Sequence, residues 1–261
     1  MRTRQDGCVY ECVLIDLNTQ EDFFDEDRPC RVMNASRLVP ALRNIIAWAK
    51  RNQVPVVSSM DSHRPEEMEM CGLPPHCLDG SHGQHKLRFT LLRNRVAVEG
   101  DNTLALPLDL FQHHQQVIFR NRSVDLLGNP KADRLLTQLI ACEYIIFGLG
   151  LERSIKAMAL GLMARNRHVT VVSDGCGYWN TSTGEFALRQ IAAKGASLIT
   201  VAQLLARKLA RPRRYSRLLN APGQTPGMVR LGVYPISTPP GSSGRNGRAR
   251  TNRRSKRPPQ S

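Results

Sequence analysis

Six continuous apolar runs of strand length, alternating with stretches of helical spacing, constrain this chain more than any other feature. The runs occupy residues 12–17, 54–59, 116–119, 144–148, 169–173 and 197–201. The helical patterns occupy 36–52, 131–141, 152–166 and 183–194, with Ser36 placed to cap the first and Gly195 to end the last. Strands that are apolar throughout are buried on both faces, and intervening helices make the crossovers that parallel strands require. The expected fold is α/β, a doubly wound six-stranded parallel sheet with helices on both faces. In such sheets ligands bind beyond the C-terminal ends of the strands, so the residues after each run are the ones to read.

The 261 residues, 41% of them hydrophobic, supply one sizeable core. The longest apolar stretch, 139–151, is interrupted by Glu143 and falls short of a bilayer span. No apolar segment precedes the first acidic residues, so no secretory signal is expected. Seven irregularly spaced cysteines then read as reduced thiols, and a cytoplasmic location without membrane contact is expected. The formal charge of +15 is unevenly placed. Residues 207–261 hold fourteen Lys and Arg and no acidic residue, leaving 23 basic against 22 acidic residues in the rest. The expected division is a neutral domain over 8–206 and a basic Pro/Gly/Arg-rich tail over 207–261. The tail is expected to be largely disordered beyond about residue 240, with one short strand conceivable over 228–236. Such a tail would contact polyanions non-specifically and in a salt-dependent way; with only Tyr215 and Tyr234 it is not built for base stacking.

The strand ends carry four motifs. Gln20-Glu-Asp22-Phe23 follows the first run, and Asp61-Ser-His63-Arg-Pro65 the second. Pro74-Pro75-His76-Cys77 runs on to Gly80-Ser81-His82-Gly83. Gly148 opens a turn leading through Glu152-Arg-Ser154-Ile-Lys156 to Gly161. Together and in this order they resemble the isochorismatase-like cysteine hydrolases, the nicotinamidase-like branch in particular, over about residues 10–205.

The resemblance implies an Asp-Lys-Cys triad in which a thiolate at a helix start attacks an amide or similar carbon. Counting from the motifs, those positions fall on Asn18, Asn121 and Ser154. Asn neither accepts nor returns a proton at neutral pH and carries no charge, and a serine hydroxyl without a base is a poor nucleophile. Asp16, two residues before Asn18, is the substitute acid or base to consider, with Arg120 and Arg122 flanking Asn121 as replacement positive charge. Neither Cys77 nor Cys176 begins a helix, and both read as structural thiols.

The resemblance also implies a divalent ion. Its ligands here would be Asp61, His63 and His76, with Glu69 at the intermediate position, a set that suits Zn, Fe or Mn. For the pocket it implies a wall at Phe23, Leu73 where an aromatic residue is usual, and Trp179 at the mouth. A homo-oligomer is expected from the same source. Three readings follow: a catalytically impaired relative that binds a small carbonyl or amide ligand, an active amidohydrolase working through Ser154, and a polyanion-binding protein acting through the tail.

Overall fold

The computed structural model describes residues 10–70, 73–99, 103–107 and 109–209. In chain order the regular elements are β1 (Val13–Leu17), α1 (Ala35–Asn52), β2 (Val56–Asp61), β3 (Arg95–Val98), α2 (Leu110–His113), β4 (Gln116–Asn121), α3 (Pro130–Gln138) and β5 (Tyr144–Leu149). A π-turn over Leu151–Ile155 leads into α4 (Lys156–Ala164), followed by β6 (Val169–Gly177), α5 (Thr181–Ala193), β7 (Ser197–Ile199) and α6 (Val201–Leu205). All seven strands are parallel, in the order β3-β4-β2-β1-β5-β6-β7.

Alternation along each strand divides the core into two layers. Val13, Ile15 and Leu17 of β1 pack with Leu135 of α3, Leu162 of α4 and Ile191 of α5. Leu14, with Ile145 and Phe147 of β5, packs against Leu38, Leu42 and Ile45 of α1 and Leu204 of α6. Helices therefore cover both faces, as the continuous apolar runs require.

The sheet has seven strands rather than the six expected. β3 is the addition, a four-residue edge strand (RVAV) paired on one side only, to β4. It is too short to stand out as an apolar run. β6 extends to Gly177, four residues past its run, because its register with β5 shifts between Ile146 and Gly148 and accommodates exposed Asp174. Nor does Ser36 cap α1. The cap position is Asn34, whose side chain instead donates to Cys176 O (2.9 Å) and accepts from Tyr178 N (3.3 Å), tying the helix start to the end of β6. Gly195, at φ +106, does follow α5 in the left-handed conformation that ends helices. Among the described residues, no helix is long and apolar enough to cross a membrane. The basic extension from 210 onward, including 228–236, lies outside the described residues. Arg207 just before it pairs with Glu143 (2.6 Å).

The chain reverses its direction of strand addition between β1 and β5, and ligand crevices form at such switch points. Gly148 lets these two strands approach: it sits at φ +116, and a Cβ there would lie 2.1 Å from Leu17 O. Gly148→Ala is expected to destabilise the fold by roughly 3 kcal/mol or more, because the obstructing atom is backbone and cannot step aside. Thermal denaturation checks this; an unchanged melting temperature would show that the β1–β5 spacing relaxes freely.

Candidate functional site

β1 ends at Leu17, and Asn18 turns out of the strand at φ +52, a left-handed conformation that Asn adopts more readily than most residues. Its amide is held from three sides. Nδ2 donates to Asp61 Oδ2 (2.9 Å) and to Ser154 Oγ (3.4 Å), while Oδ1 accepts from Ser59 Oγ. The Asp61 carboxyl oxygen fixes which end of the amide faces inward. Gln20 then holds the end of β2: Oε1 accepts from Asp61 N (2.7 Å), and Nε2 donates to Asp61 O and to Gln84 O (2.8 Å each). The glutamine of the first motif is thus a backbone clamp on Asp61.

Ser154 enters from β5 through the π-turn, a local irregularity often found where a side chain must be re-aimed. Glu152 in this turn accepts from the backbone N–H groups of Trp179 (2.8 Å) and Asn180 (3.1 Å), joining the β5 and β6 ends. Trp179 Nε1 donates to Cys30 O (2.7 Å), and a Cβ on Gly150 would come 2.2 Å from the indole ring. The ring therefore packs directly on the turn that presents Ser154. Phe23 meets Trp179 edge-on (5.8 Å between centroids) and lies 5.3 Å from the His76 ring.

These elements enclose a cavity of about 350 Å³, room for one small ring compound. Asn18, Phe23, Asp61, His63, Leu73, His76, Ser154 and Trp179 all line it, joined by Glu67, Arg122, Ser123, Val124 and Arg153. Of the ten sequence-derived candidates whose side chains are described, eight line the cavity; Asp16 and Asn121 do not. The side chain of Glu69 lies outside the described residues. Glu67, two residues earlier, lines the cavity and pairs with Arg122 (3.1 Å).

Asp16 is placed away from Ser154. It is fully buried, with Oδ1 accepting from Thr19 Oγ1 (2.8 Å) and Oδ2 accepting from Ser58 Oγ (2.9 Å) and Lys86 Nζ (3.0 Å). Strand alternation continued through residue 18 would put Asp16 on the same face as Asn18, but the left-handed turn there breaks it. Asn121 ends β4 opposite Asp61, its side chain turned back on Ser123 O. Of the arginines flanking it, Arg120 pairs with Glu99 (3.3 Å) and Arg122 reaches the cavity. Arg153 and Glu67 were not among the sequence-derived candidates. Arg153 was open to notice, since it immediately precedes Ser154.

Asp61, His63 and His76 bring one ligand atom each to within 4.8 Å of one another, all three buried. Asp61 Oδ1 and His63 Nδ1 are buried without a hydrogen-bond partner among the described residues. Such orphaned atoms are what an ion would satisfy. His76 Nδ1 lies 2.8 Å from Pro74 O, which fixes the ring and leaves Nε2 as the ligating nitrogen. Burial pulls both histidines below their ordinary range, toward the neutral form that ligates. Burial pushes Asp61 up to about 7. Burial also pushes the Cys77 and Cys176 thiols up, away from the reactive thiolate.

A search of curated protein sequences found no significant match. Among solved structures, an isochorismatase family protein from Desulfovibrio vulgaris subsp. vulgaris str. Hildenborough is similar at 17% identity and TM-score 0.61, covering 76% of this chain and 100% of its own. The pyrazinamidase of Pyrococcus horikoshii in complex with zinc is 17% identical at TM-score 0.58, covering 73% and 99%. N-carbamoylsarcosine amidase from Thermoplasma acidophilum is 16% identical at TM-score 0.56, covering 73% and 96%. The Isochorismatase domain profile matches residues 12–203, most of the chain and every described residue that lines the cavity. The chain belongs to the isochorismatase family of hydrolase-like proteins.

Proposed function

We propose that this protein is a catalytically impaired family member that holds a small carbonyl-bearing ligand beside a divalent ion, without the family's thiolate chemistry. The observation that carries this reading is the Asn18 amide, which turns its N–H groups toward both Ser154 Oγ and Asp61 Oδ2. A base for Ser154 would have to accept a proton there, and this group only donates. Asn18 is also the hydrogen-bond partner that Ser154 Oγ has among the described residues. Asp16, two residues before Asn18, is committed to Lys86, Ser58 and Thr19.

Asp61, His63 and His76 are the residues that would hold the ion, and zinc fits their donor set. When bound, the ion would polarise a ligand carbonyl or take a ligand nitrogen. The zinc named with the Pyrococcus horikoshii pyrazinamidase agrees with this choice. Phe23 and Trp179 supply flat apolar walls, whereas Leu73 offers no ring, so stacking is one-sided.

The test is ammonia release from a panel of small amides, nicotinamide included, with wild type run beside Ser154→Ala. The expected result is no release from wild type above the variant. Turnover that disappears in Ser154→Ala would overturn the reading and make this a serine-dependent amidohydrolase.

A further inference from the structure

The charges of the domain nearly cancel in sum but are segregated in space. No Asp or Glu occurs over residues 28–60 or 80–98, which supply α1 and the short 3-10 turn Arg88–Thr90 packed beside it. α1 buries Leu38, Leu42, Ile45 and Ala49 against the sheet, which leaves a single outward arc at helical spacing. That arc carries Arg37, Arg43, Lys50 and Arg51, all exposed, and its other exposed residues are Ser, Pro, Asn and Ala. The Arg43 guanidinium carbon lies 4.1 Å from the centre of the Phe89 ring, which brings exposed Arg88 alongside. Leu204 and Leu209 seat α6 and the residues after it in the same layer, with Lys208 exposed between them and the basic extension. None of these six cations has a carboxylate within ion-pair distance among the described residues. Exposed Asp174, beside α6, is turned to Val201 N (2.7 Å). On the other face of the sheet, by contrast, Arg165 pairs with Asp133 (2.8 Å) and Arg189 with Glu185 (3.9 Å).

Like charges gathered without counter-charges repel, and a polyanion relieves that repulsion. Four of the six are arginines, whose planar fork matches phosphate oxygens. The α1 arc has no large apolar side chain to enter a membrane or anchor a protein partner, and no aromatic on which unpaired bases could stack. We propose that the α1 face docks on the phosphate backbone of a nucleic-acid duplex. This face belongs to the folded domain rather than to the basic extension, and the proposal does not depend on the ligand-holding reading above.

The experiment titrates the full-length protein, across a salt series, with a labelled DNA duplex, a single strand of equal length and phosphatidylserine vesicles. Two full-length variants remove the same charge from opposite layers. One is Arg37→Gln, Lys50→Gln, Arg51→Gln; the other is Arg165→Gln, Arg189→Gln, Lys194→Gln. Wild type is expected to bind the duplex more tightly than the strand or the vesicles. The α1 triple should weaken duplex binding about tenfold or more at about 0.1 M salt. It should also flatten the log–log salt slope by about 2–3, since each lost phosphate contact removes about 0.9. The opposite triple should stay within about twofold of wild type. In wild type the duplex should also shield Lys50 from acetylation and leave Lys194 reactive, a readout that needs no variant to fold. Failure of wild type to bind the duplex, equal weakening by the two triples, tighter binding to the strand or to vesicles, or equal shielding of Lys50 and Lys194 would each overturn the proposal.

Discussion

Replacing His63 with alanine is expected to abolish zinc binding, weakening the dissociation constant by well over 100-fold. Removing a hydrogen-bond partner of a metal ligand already costs about 10–100-fold, and losing one of three ligands costs more. His63 is the right residue to remove because its Nδ1 has no partner among the described residues and its side chain's other contacts, Asp61 at 4.0 Å and the His76 ring at 5.0 Å, are with the other two ligands. His82, exposed and edge-on to His85 at 5.6 Å between ring centroids, provides the control: His82→Ala should bind zinc as wild type does. Competition with a chromogenic chelator measures both. Equal affinity in wild type and His63→Ala would place the ion elsewhere or nowhere.

The same site fixes how affinity depends on pH. Burial pushes Asp61 up to about 7, so below that pH the ion must displace a proton from it. The two histidines, pulled below their ordinary range by burial, are neutral earlier and add little competition near pH 7. Zinc affinity is therefore expected to rise about fivefold between pH 6 and 7 and to level off by about pH 8. The sign for stability is the reverse in the ion-free protein. Its folded state holds the Asp61 proton more tightly than the unfolded chain, whose value is 3.8, so stability falls as pH rises between those values. Zinc should consequently raise the melting temperature more at pH 8 than at pH 6.

Much of this arrangement was legible in the residues, for physical reasons that also mark where reading stops. Strands covered on both faces must be apolar throughout, so β1, β2 and β4–β7 stood out, whereas the four-residue edge strand β3 did not. Asn18 and Ser154 were readable as neighbours only through the resemblance, whose motifs assign both to one triad. Asp16 was misread because alternation holds only while the backbone stays extended, and a single left-handed residue at 18 ends it. Its true partner, Lys86, is seventy positions away and belongs to no pattern that would connect the two. Arg153 escaped notice because the turn's motif draws attention to the residue after it.

Placing Asp, Lys and Cys at the three positions that the resemblance assigns to the triad is expected to give the protein proposed above to be silent an amidase activity. The triple variant Asn18→Asp, Asn121→Lys, Ser154→Cys should release ammonia from small amides at least about 100-fold faster than wild type, the usual scale of a positioned general base. Each change has a geometric warrant. A carboxylate at 18 replaces the amide whose N–H₂ now faces the nucleophile position at 3.4 Å, turning a donor into a proton acceptor. Residue 121 is in register with Asp61 on the neighbouring strand, so a lysine there leaves the sheet on the same side as Asp61. Cysteine at 154 puts a better nucleophile in the same turn. The new carboxylate would sit as close to Asp61 as Asn18 Nδ2 does now, 2.9 Å, and two carboxylates so placed cannot both ionise freely. That repulsion raises the proton affinity of position 18 toward neutrality, where a base is most effective. Ser154→Cys alone should remain silent, since Asn18 would still only donate. If the triple variant folds and binds zinc yet releases no ammonia, then these three positions are not where the chemistry of this fold resides.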